Sequence, residues 1–263
     1  MTERHNPTPL LEVENLGIHF GGLQAVAGFG LLMNEGDLKG IIGPNGAGKT
    51  TVFNMLTGIY APSEGSIKIR GESIAGKKIH EVTHCGIART FQNIRLFQQL
   101  SVLDNLKIAR HSSVQYSFWA SLCHGPEVRE EERAIEEEGL ALLERLGMKD
   151  LARVRAGGLP YGMQRRLEIA RALATKPSLL LLDEPAAGMN PQEVDHLAET
   201  ILWVKKEFQV TILLIEHHMK LVMEICDHIT VMNFGKTIAE GPPDRIKTDP
   251  TVIEAYLGKG GTF

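Results

Sequence analysis

Gly43-Pro44-Asn45-Gly46-Ala47-Gly48-Lys49-Thr50 fits the pattern G-x-x-x-x-G-K-[ST]. In such a stretch the glycines let the backbone curl until successive N–H groups point inward at phosphate oxygens. A helix starting near Lys49 adds its positive end to that cradle. Lys49 would then reach the β/γ-phosphates, and the Thr50 hydroxyl would ligate Mg²⁺. The flanks agree with this reading. Leu38 to Ile42 is a short, mostly apolar run ending at Gly43, a buried strand entering a glycine loop. The residues after it, TTVFNML from Thr50 to Leu56, are compatible with a helix.

A second element makes the phosphate reading specific. Leu179-Leu180-Leu181-Leu182-Asp183-Glu184 is an apolar strand that delivers two adjacent carboxylates. Strand side chains alternate, so Asp183 is expected to face the Mg²⁺ shell while Glu184 addresses a different point at the strand end. Asp183 would hold the metal and Glu184 would polarise an attacking water. Together with the phosphate loop, this pair makes a nucleotide-binding site.

Around these two elements the chain alternates. After Leu159 come a helix (RRLEIARALA), the buried strand, a helix (PQEVDHLAETILWVKKEF), a strand (VTILLIE), a further helix and a strand (HITVMNF). Apolar strands alternating with amphipathic helices mark an α/β sheet with helices on its faces. The first ~90 residues read instead as strands and turns, among them LLEVENLGIHF, which alternates only in part, and GSIKIRG. From about Ser101 to Lys149 the pattern is helical, which suggests an inserted subdomain. Within it Ile135, Leu140, Leu142, Leu143 and Leu146 fall near one helical face, opposite a solvated row of Glu. The segment HSSVQYSFWASLCHGPEV is poorly periodic and reads as a surface insertion.

Composition excludes several classes. Apolar residues at 43% and charged residues at 23% are ordinary globular usage, so disorder and fibrous repeats do not fit. At 263 residues the chain can bury a core without staples. A net charge of −4 gives no reason to expect a protein that coats nucleic acid. No apolar run approaches the roughly 20 residues that span a bilayer, and the polar N-terminus MTERHNPTPLLEVENL lacks a signal-peptide core. Cys85, Cys123 and Cys226 are odd in number, far apart and without metal-ligand spacing, which reads as reduced thiols.

With these residues in order, the chain resembles the ATP-binding subunit of ABC transporters over essentially its whole length. The resemblance implies an α/β P-loop NTPase: an ABC ATPase core with an N-terminal antiparallel β subdomain and an inserted helical subdomain. One domain would cover 1–263. Residues 10–94 and 165–240 would form the β subdomain and core, about 95–164 a helical signature subdomain, and about 241–263 a C-terminal tail. Phe20, 23 residues before Gly43, sits where the family places an aromatic ring under adenine. Gln92, in TFQN, matches the glutamine that contacts Mg²⁺ or water and links to the membrane subunit. His217, after TILLIE, matches the histidine at the γ-phosphate. The catalytic set implied is Glu184, His217, Gln92 and Lys49, with Thr50, Gln92 and Asp183 on the metal. Thr51 joins Phe20 and the loop residues Gly43 to Thr50 in the nucleotide-binding set.

The signature segment Leu159-Pro160-Tyr161-Gly162-Met163-Gln164 departs from the family's usual LSGGQ. Pro160 lacks the serine hydroxyl that touches the γ-phosphate of the opposite subunit, and what survives is Gly162 ahead of a helix expected from Arg165 to Leu173. Asn190 stands where the segment after the paired carboxylates usually has aspartate. Both imply a working but weakened composite site. The PYG-type signature, LDEPAAGMNP, IEHHMKLV, TFQNIRLFQQLSV and VIEAYLG look like the ATPases of branched-chain amino acid (Leu/Ile/Val) importers. The implied unit is a nucleotide sandwich of two such chains, homo- or heterodimeric. Tyr161, Gly162 and Met163 of one would face the ATP and Mg²⁺ of the other. Integral-membrane permease subunits would dock beside Gln92, with Leu96, Phe97 and Leu103 as linings, and a periplasmic or extracellular binding protein would act indirectly. No nucleic acid is implied, and the place would be peripheral, on the cytoplasmic face of the plasma membrane. The same catalytic residues would serve a transporter of urea or an exporter of lipid. A soluble non-transport ABC ATPase usually carries two cassettes or a long coiled coil.

Overall fold

The computed structural model describes residues 8–111 and 126–257. Most of the poorly periodic insertion, Cys123, the residues up to Pro7 and those from Gly258 on lie outside the described residues. Two compact units make up the chain. One joins the residues up to Arg89 with those from Ser178 onward; the other is Thr90–Pro177.

The first unit begins with β1 (Leu11–Phe20), β2 (Leu23–Met33), β3 (Leu38–Ile42) and α1 (Lys49–Leu56). It continues through β4 (Glu64–Ile69), β5 (Glu72–Ser73), α2 (Ile79–His84) and β6 (Ile87–Arg89). The second unit holds α3 (Val102–His111), α4 (Pro126–Arg145) and α5 (Tyr161–Leu173). The chain then returns to the first unit as β7 (Leu179–Asp183), α6 (Pro191–Phe208), β8 (Thr211–Ile215) and α7 (Met219–Ile225). Last come β9 (His228–Asn233), β10 (Lys236–Gly241), α8 (Pro243–Thr248) and α9 (Pro250–Leu257).

Two sheets organise the first unit. An antiparallel sheet runs β2-β1-β4-β5, and a six-stranded sheet runs β10-β9-β3-β8-β7-β6. In the second sheet β3, β6, β7, β8 and β9 are parallel, and β10 closes the edge as an antiparallel hairpin. Every residue of β7 and β8 is buried, as expected for strands covered on both faces. The register sets Ile41, Ile215 and Asp183 in one row, so β3, β8 and β7 end together. Ligands of open α/β sheets bind beyond those carboxyl ends, and here the phosphate loop leaves from β3.

Local chemistry explains where the sequence pattern was weak. The alternation of β1 breaks because Asn15 adopts φ 47° and the pairing with β2 slips between Val13 and Leu16, a bulge that turns the next residues over. Between them α1 and α2 interrupt the strands and turns expected of the first ~90 residues. The β9–β10 hairpin was also not evident from the pattern; it turns through Phe234 (φ 43°) and Gly235 (φ 78°). In the second unit Ile135, Leu143 and Leu146 are buried and the Glu row is solvated. A boundary at residue 164 would cut α5, which runs unbroken from Tyr161 and belongs wholly to the second unit.

Candidate functional site

The phosphate loop is held open by glycine backbone. Gly43 adopts φ 150° and Gly48 φ 101°, a range side chains rarely enter. A Cβ on Gly43 would sit 2.1 Å from the Met232 carbonyl oxygen, and one on Gly48 2.9 Å from that of Ala25. Between them Pro44 accepts from the Ala47 N–H at 3.1 Å, which folds the loop, and Asn45 and Gly46 face solvent. Lys49 opens α1, with Gly48 at its N-cap, and Thr50 and Thr51 complete the first turn. Nζ of Lys49 donates to the Gly43 and Pro44 carbonyls at 2.6 and 3.0 Å, which lays the ammonium along the loop. Burial lowers its pKa below the ordinary lysine value, opposed by the charges of Glu184 and Asp183. The three charged groups share one electrostatic neighbourhood.

Asp183 ends β7 almost fully buried, and its Oδ2 accepts from Arg89 at 2.7 Å. Arg89, at the end of β6, also donates to Asn54 Oδ1 at 2.8 Å and lies over the Phe53 ring. Glu184 lies beyond the strand. The two carboxylates therefore diverge by a backbone kink, Glu184 at φ 45°, and not by the strand alternation expected from the sequence. Its N–H donates to Ile215 O at 2.8 Å, which pins the kink to the end of β8. Two residues past that end, His217 Nδ1 lies 3.6 Å from Glu184 Oε2. Asp183 thus ends β7, and Lys49, Thr50, Glu184 and His217 follow the ends of β3, β7 and β8. Phe20 ends β1 with 45% of its surface exposed and packs edge-on against Tyr60, ring centroids 5.1 Å apart.

These residues suit ATP and Mg²⁺. Among the described residues no cluster of three or more His, Cys, Asp or Glu forms a metal cage. One carboxylate (Asp183) and one hydroxyl (Thr50) are the hard-oxygen donors that Mg²⁺ takes when phosphates and water complete its shell.

The second unit carries Gln92 and the signature residues. Gln92 is exposed, in an irregular stretch after β6. Its carbonyl accepts from Arg165 Nη2 at 2.9 Å, and the Phe91 carbonyl accepts from Arg165 Nη1 at 2.8 Å. Arg165 is fully buried and paired with Glu168 at 2.7 Å, while Glu168 Oε1 accepts from the Phe91 and Arg95 N–H groups at 3.3 and 3.4 Å. The helix starts earlier than expected: α5 runs from Tyr161 with Pro160 as N-cap, so Tyr161, Gly162 and Met163 form its first turn. Pro160 O accepts from Met163 and Gln164 N–H groups at 2.9 and 3.0 Å. Helical geometry leaves the N–H groups of Tyr161 and Gly162 no acceptor within the helix. Of the three apolar residues named as linings, Leu103 is buried in α3, Leu96 is half-buried and Phe97 is 48% exposed.

A family model described as "ABC transporter" matches residues 26–187. The chain belongs to that family. It is an ABC transporter ATP-binding protein, and a second model, described as "Branched-chain amino acid ATP-binding cassette transporter", matches residues 236–262 of the cassette. The high-affinity branched-chain amino acid transport ATP-binding protein BraF of Pseudomonas aeruginosa is 49% identical, over 95% of this chain and 98% of its own. The corresponding LivG of Escherichia coli K12 is 45% identical over the same shares. The crystal structure of the ADP conformation of an ATP-binding cassette of an ABC transporter is 35% identical with a TM-score of 0.83, covering 95% of this chain and 99% of that one.

The cassette also contains site residues that the sequence did not single out. Arg89, Tyr60 and Arg165 each touch a named candidate or its backbone, and Glu168 pairs with Arg165. Only the RR and E of RRLEIARALA carried a signal, as charges on the face of an otherwise apolar helix.

Proposed function

We propose that this chain binds and hydrolyses ATP as the motor subunit of an ABC importer for leucine, isoleucine and valine. The arrangement of Lys49, Asp183, Glu184 and His217 at the carboxyl ends of neighbouring strands carries the reading. Lys49 leaves the loop carbonyls to meet the β/γ-phosphates, which replace its present acceptors with charged ones. Thr50 and Asp183 would hold Mg²⁺, which would supply charge neutralisation at the phosphates, and Gln92 is the further contact that the resemblance implies. Glu184 orients and polarises water, and His217 beside it meets the γ-phosphate. Tyr161, Gly162 and Met163 present a helix N-terminus to the ATP of a second cassette.

Among the described residues no helix is long and apolar enough to cross a membrane, so the motion of closure must pass to permease subunits. Phe97 and Leu100, exposed on the second unit, are the proposed apolar contacts for them. The substrate class rests on relatives at 49% and 45% identity that are named for branched-chain amino acid transport. Glu184→Gln is expected to lower turnover on the order of 10²–10⁴-fold, trap an ATP-bound dimer by light scattering, and abolish labelled leucine, isoleucine and valine uptake at matched expression. A variant that stays monomeric at saturating ATP removes the sandwich for the isolated chain. Unchanged branched-chain uptake removes the substrate.

A further inference from the structure

The turns that carry Glu184 and His217 are tied together by a carboxylate that the hydrolysis chemistry does not use. Glu216 follows β8 directly, and its side chain is 0% exposed. Oε1 accepts from the Ala186 N–H at 2.8 Å, two residues past Glu184 on the neighbouring turn. Oε2 accepts from the His217 and His218 N–H groups at 2.9 and 3.0 Å, on its own turn. The His217 ring is the basic group beside it, Nδ1 at 4.0 Å from Oε2.

A buried carboxylate is costly unless hydrogen-bonded donors surround it, and N–H bonds to a charged acceptor are about twice as strong as neutral ones. Each oxygen here serves a different turn. The strands beneath are parallel and in register, Asp183 opposite Ile215, so the β-ladder fixes the chain only up to its last paired residues. Beyond them the Glu184 N–H bond to Ile215 O holds the first step, and Glu216 holds Ala186 on one side and His217 and His218 on the other. The 3.6 Å separation of His217 Nδ1 from Glu184 Oε2 spans the two turns whose backbones Glu216 bonds.

We infer that Glu216 is a positioning residue for ATP hydrolysis: one carboxylate locks the turn of Glu184 to the turn of His217, so that both address the γ-phosphate at once. The inference rests on the proposed ATPase reading of this site. Glu216→Gln keeps the side-chain volume but turns one oxygen into an NH₂ donor, which faces either the Ala186 N–H or the His217 and His218 pair. One of the two turns then loses its tether while the phosphate loop, on β3, is untouched.

The test measures steady-state hydrolysis, ATP affinity with a fluorescent ATP analogue, and thermal unfolding for the full chain. Glu216→Gln is compared with wild type, Glu184→Gln, His217→Ala and the double variant Glu216→Gln/His217→Ala. We expect kcat to fall about 10–100-fold, within the range lost when a catalytic geometry is misplaced by about 1 Å. Nucleotide affinity and KM should stay within about twofold of wild type, since the site is disturbed only where chemistry occurs. In the double variant the Glu216 substitution should cost much less than alone, because its effect is to set Glu184 and His217 against each other and that pairing is already lost. Glu216→Thr, with a short oxygen that still reaches the N–H two residues on but not Ala186, should show the same kcat loss and serves if the Gln protein does not fold. Wild-type kcat in Glu216→Gln or in Glu216→Thr overturns the inference, and so does a parallel loss of affinity and kcat, or full additivity with His217→Ala. A wild-type chain whose hydrolysis is unaffected by Glu184→Gln would instead remove the ATPase reading of the site.

Discussion

Two short irregular stretches carry candidate site residues, and they are held by different means. The phosphate loop, after β3, is shaped by its own backbone: Gly43 and Gly48 fit against carbonyls that leave no room for a Cβ. The segment Phe91–Arg95, after β6, is shaped by side chains from elsewhere, because both of its first two carbonyls and two of its N–H groups bond to Arg165 and Glu168. The first arrangement is rigid by covalent geometry. The second is a buried ion pair standing in for secondary structure, and it ties the backbone of Gln92 to the signature helix four residues past Tyr161. The first has no room for a methyl group at Gly43 or Gly48, and the second tolerates no lost charge.

The largest effect should therefore come from Gly43→Ala. The added methyl would meet the Met232 carbonyl oxygen at 2.1 Å at a backbone angle of φ 150°. Overpacking costs about 1–3 kcal/mol, and the backbone strain a further 1–3. Either the loop moves or β9 does, and ATP affinity should fall on the order of 100-fold, which is under 3 kcal/mol of binding. Gly46→Ala, in open space with φ 80°, should cost much less. Nucleotide titration of the two variants decides it: equal affinities would mean that close packing against β9 does not shape the loop.

Breaking the other arrangement calls for a charge. Arg165→Met leaves Glu168 buried without its partner and takes the donors from the Phe91 and Gln92 carbonyls. Losing one member of a buried pair costs about 3–5 kcal/mol, to be read as a lower denaturation midpoint. Turnover should fall with it through Gln92, while nucleotide affinity, held by the phosphate loop, stays near wild type. Arg165→Met/Glu168→Leu should regain part of the stability, since no lone charge remains. It should not regain turnover, because the carbonyls still lack donors. Recovery of both would show that the pair fills space and does not position Gln92.

This contrast also sets how much was legible beforehand. The phosphate loop could be read because glycine is the only residue that enters those backbone angles, so the geometry is written into residue types at fixed spacing. The paired carboxylates could be read because four consecutive leucines announce a strand buried on both faces. Their divergence could not, since a kink at Glu184 depends on the Ile215 carbonyl of the next strand. Arg89, Arg165, Glu168 and Glu216 act through partners distant in sequence or through backbone N–H groups, and neither leaves a periodic or spacing signal. The early start of α5 was hidden by Gly162 and by Pro160, a poor helix former that is tolerated at the helix entry.

Asn190 gives the smallest effect and separates a local cause from a catalytic one. The resemblance marks it as a departure from aspartate, which implied weaker hydrolysis. In the structure it is the N-cap of α6: Oδ1 accepts from the Glu193 N–H at 3.0 Å, and Glu193 Oε2 accepts from the Asn190 N–H at 2.9 Å, with Pro191 next. Asn and Asp cap helices equally well, so this site gives no structural reason to prefer either. Asn190→Ala should lose about 1 kcal/mol, a fall in Tm of about 2–4 °C for a chain of this size. Asn190→Asp should leave Tm where it is. Turnover then carries the information. If Asn190→Asp hydrolyses ATP at the wild-type rate, the residue is there for the cap, and any slowness of the composite site belongs to Pro160. A several-fold gain in turnover with Tm unchanged would mean that the carboxylate acts beyond its own helix, at the facing cassette, and that this chain runs with that contact weakened.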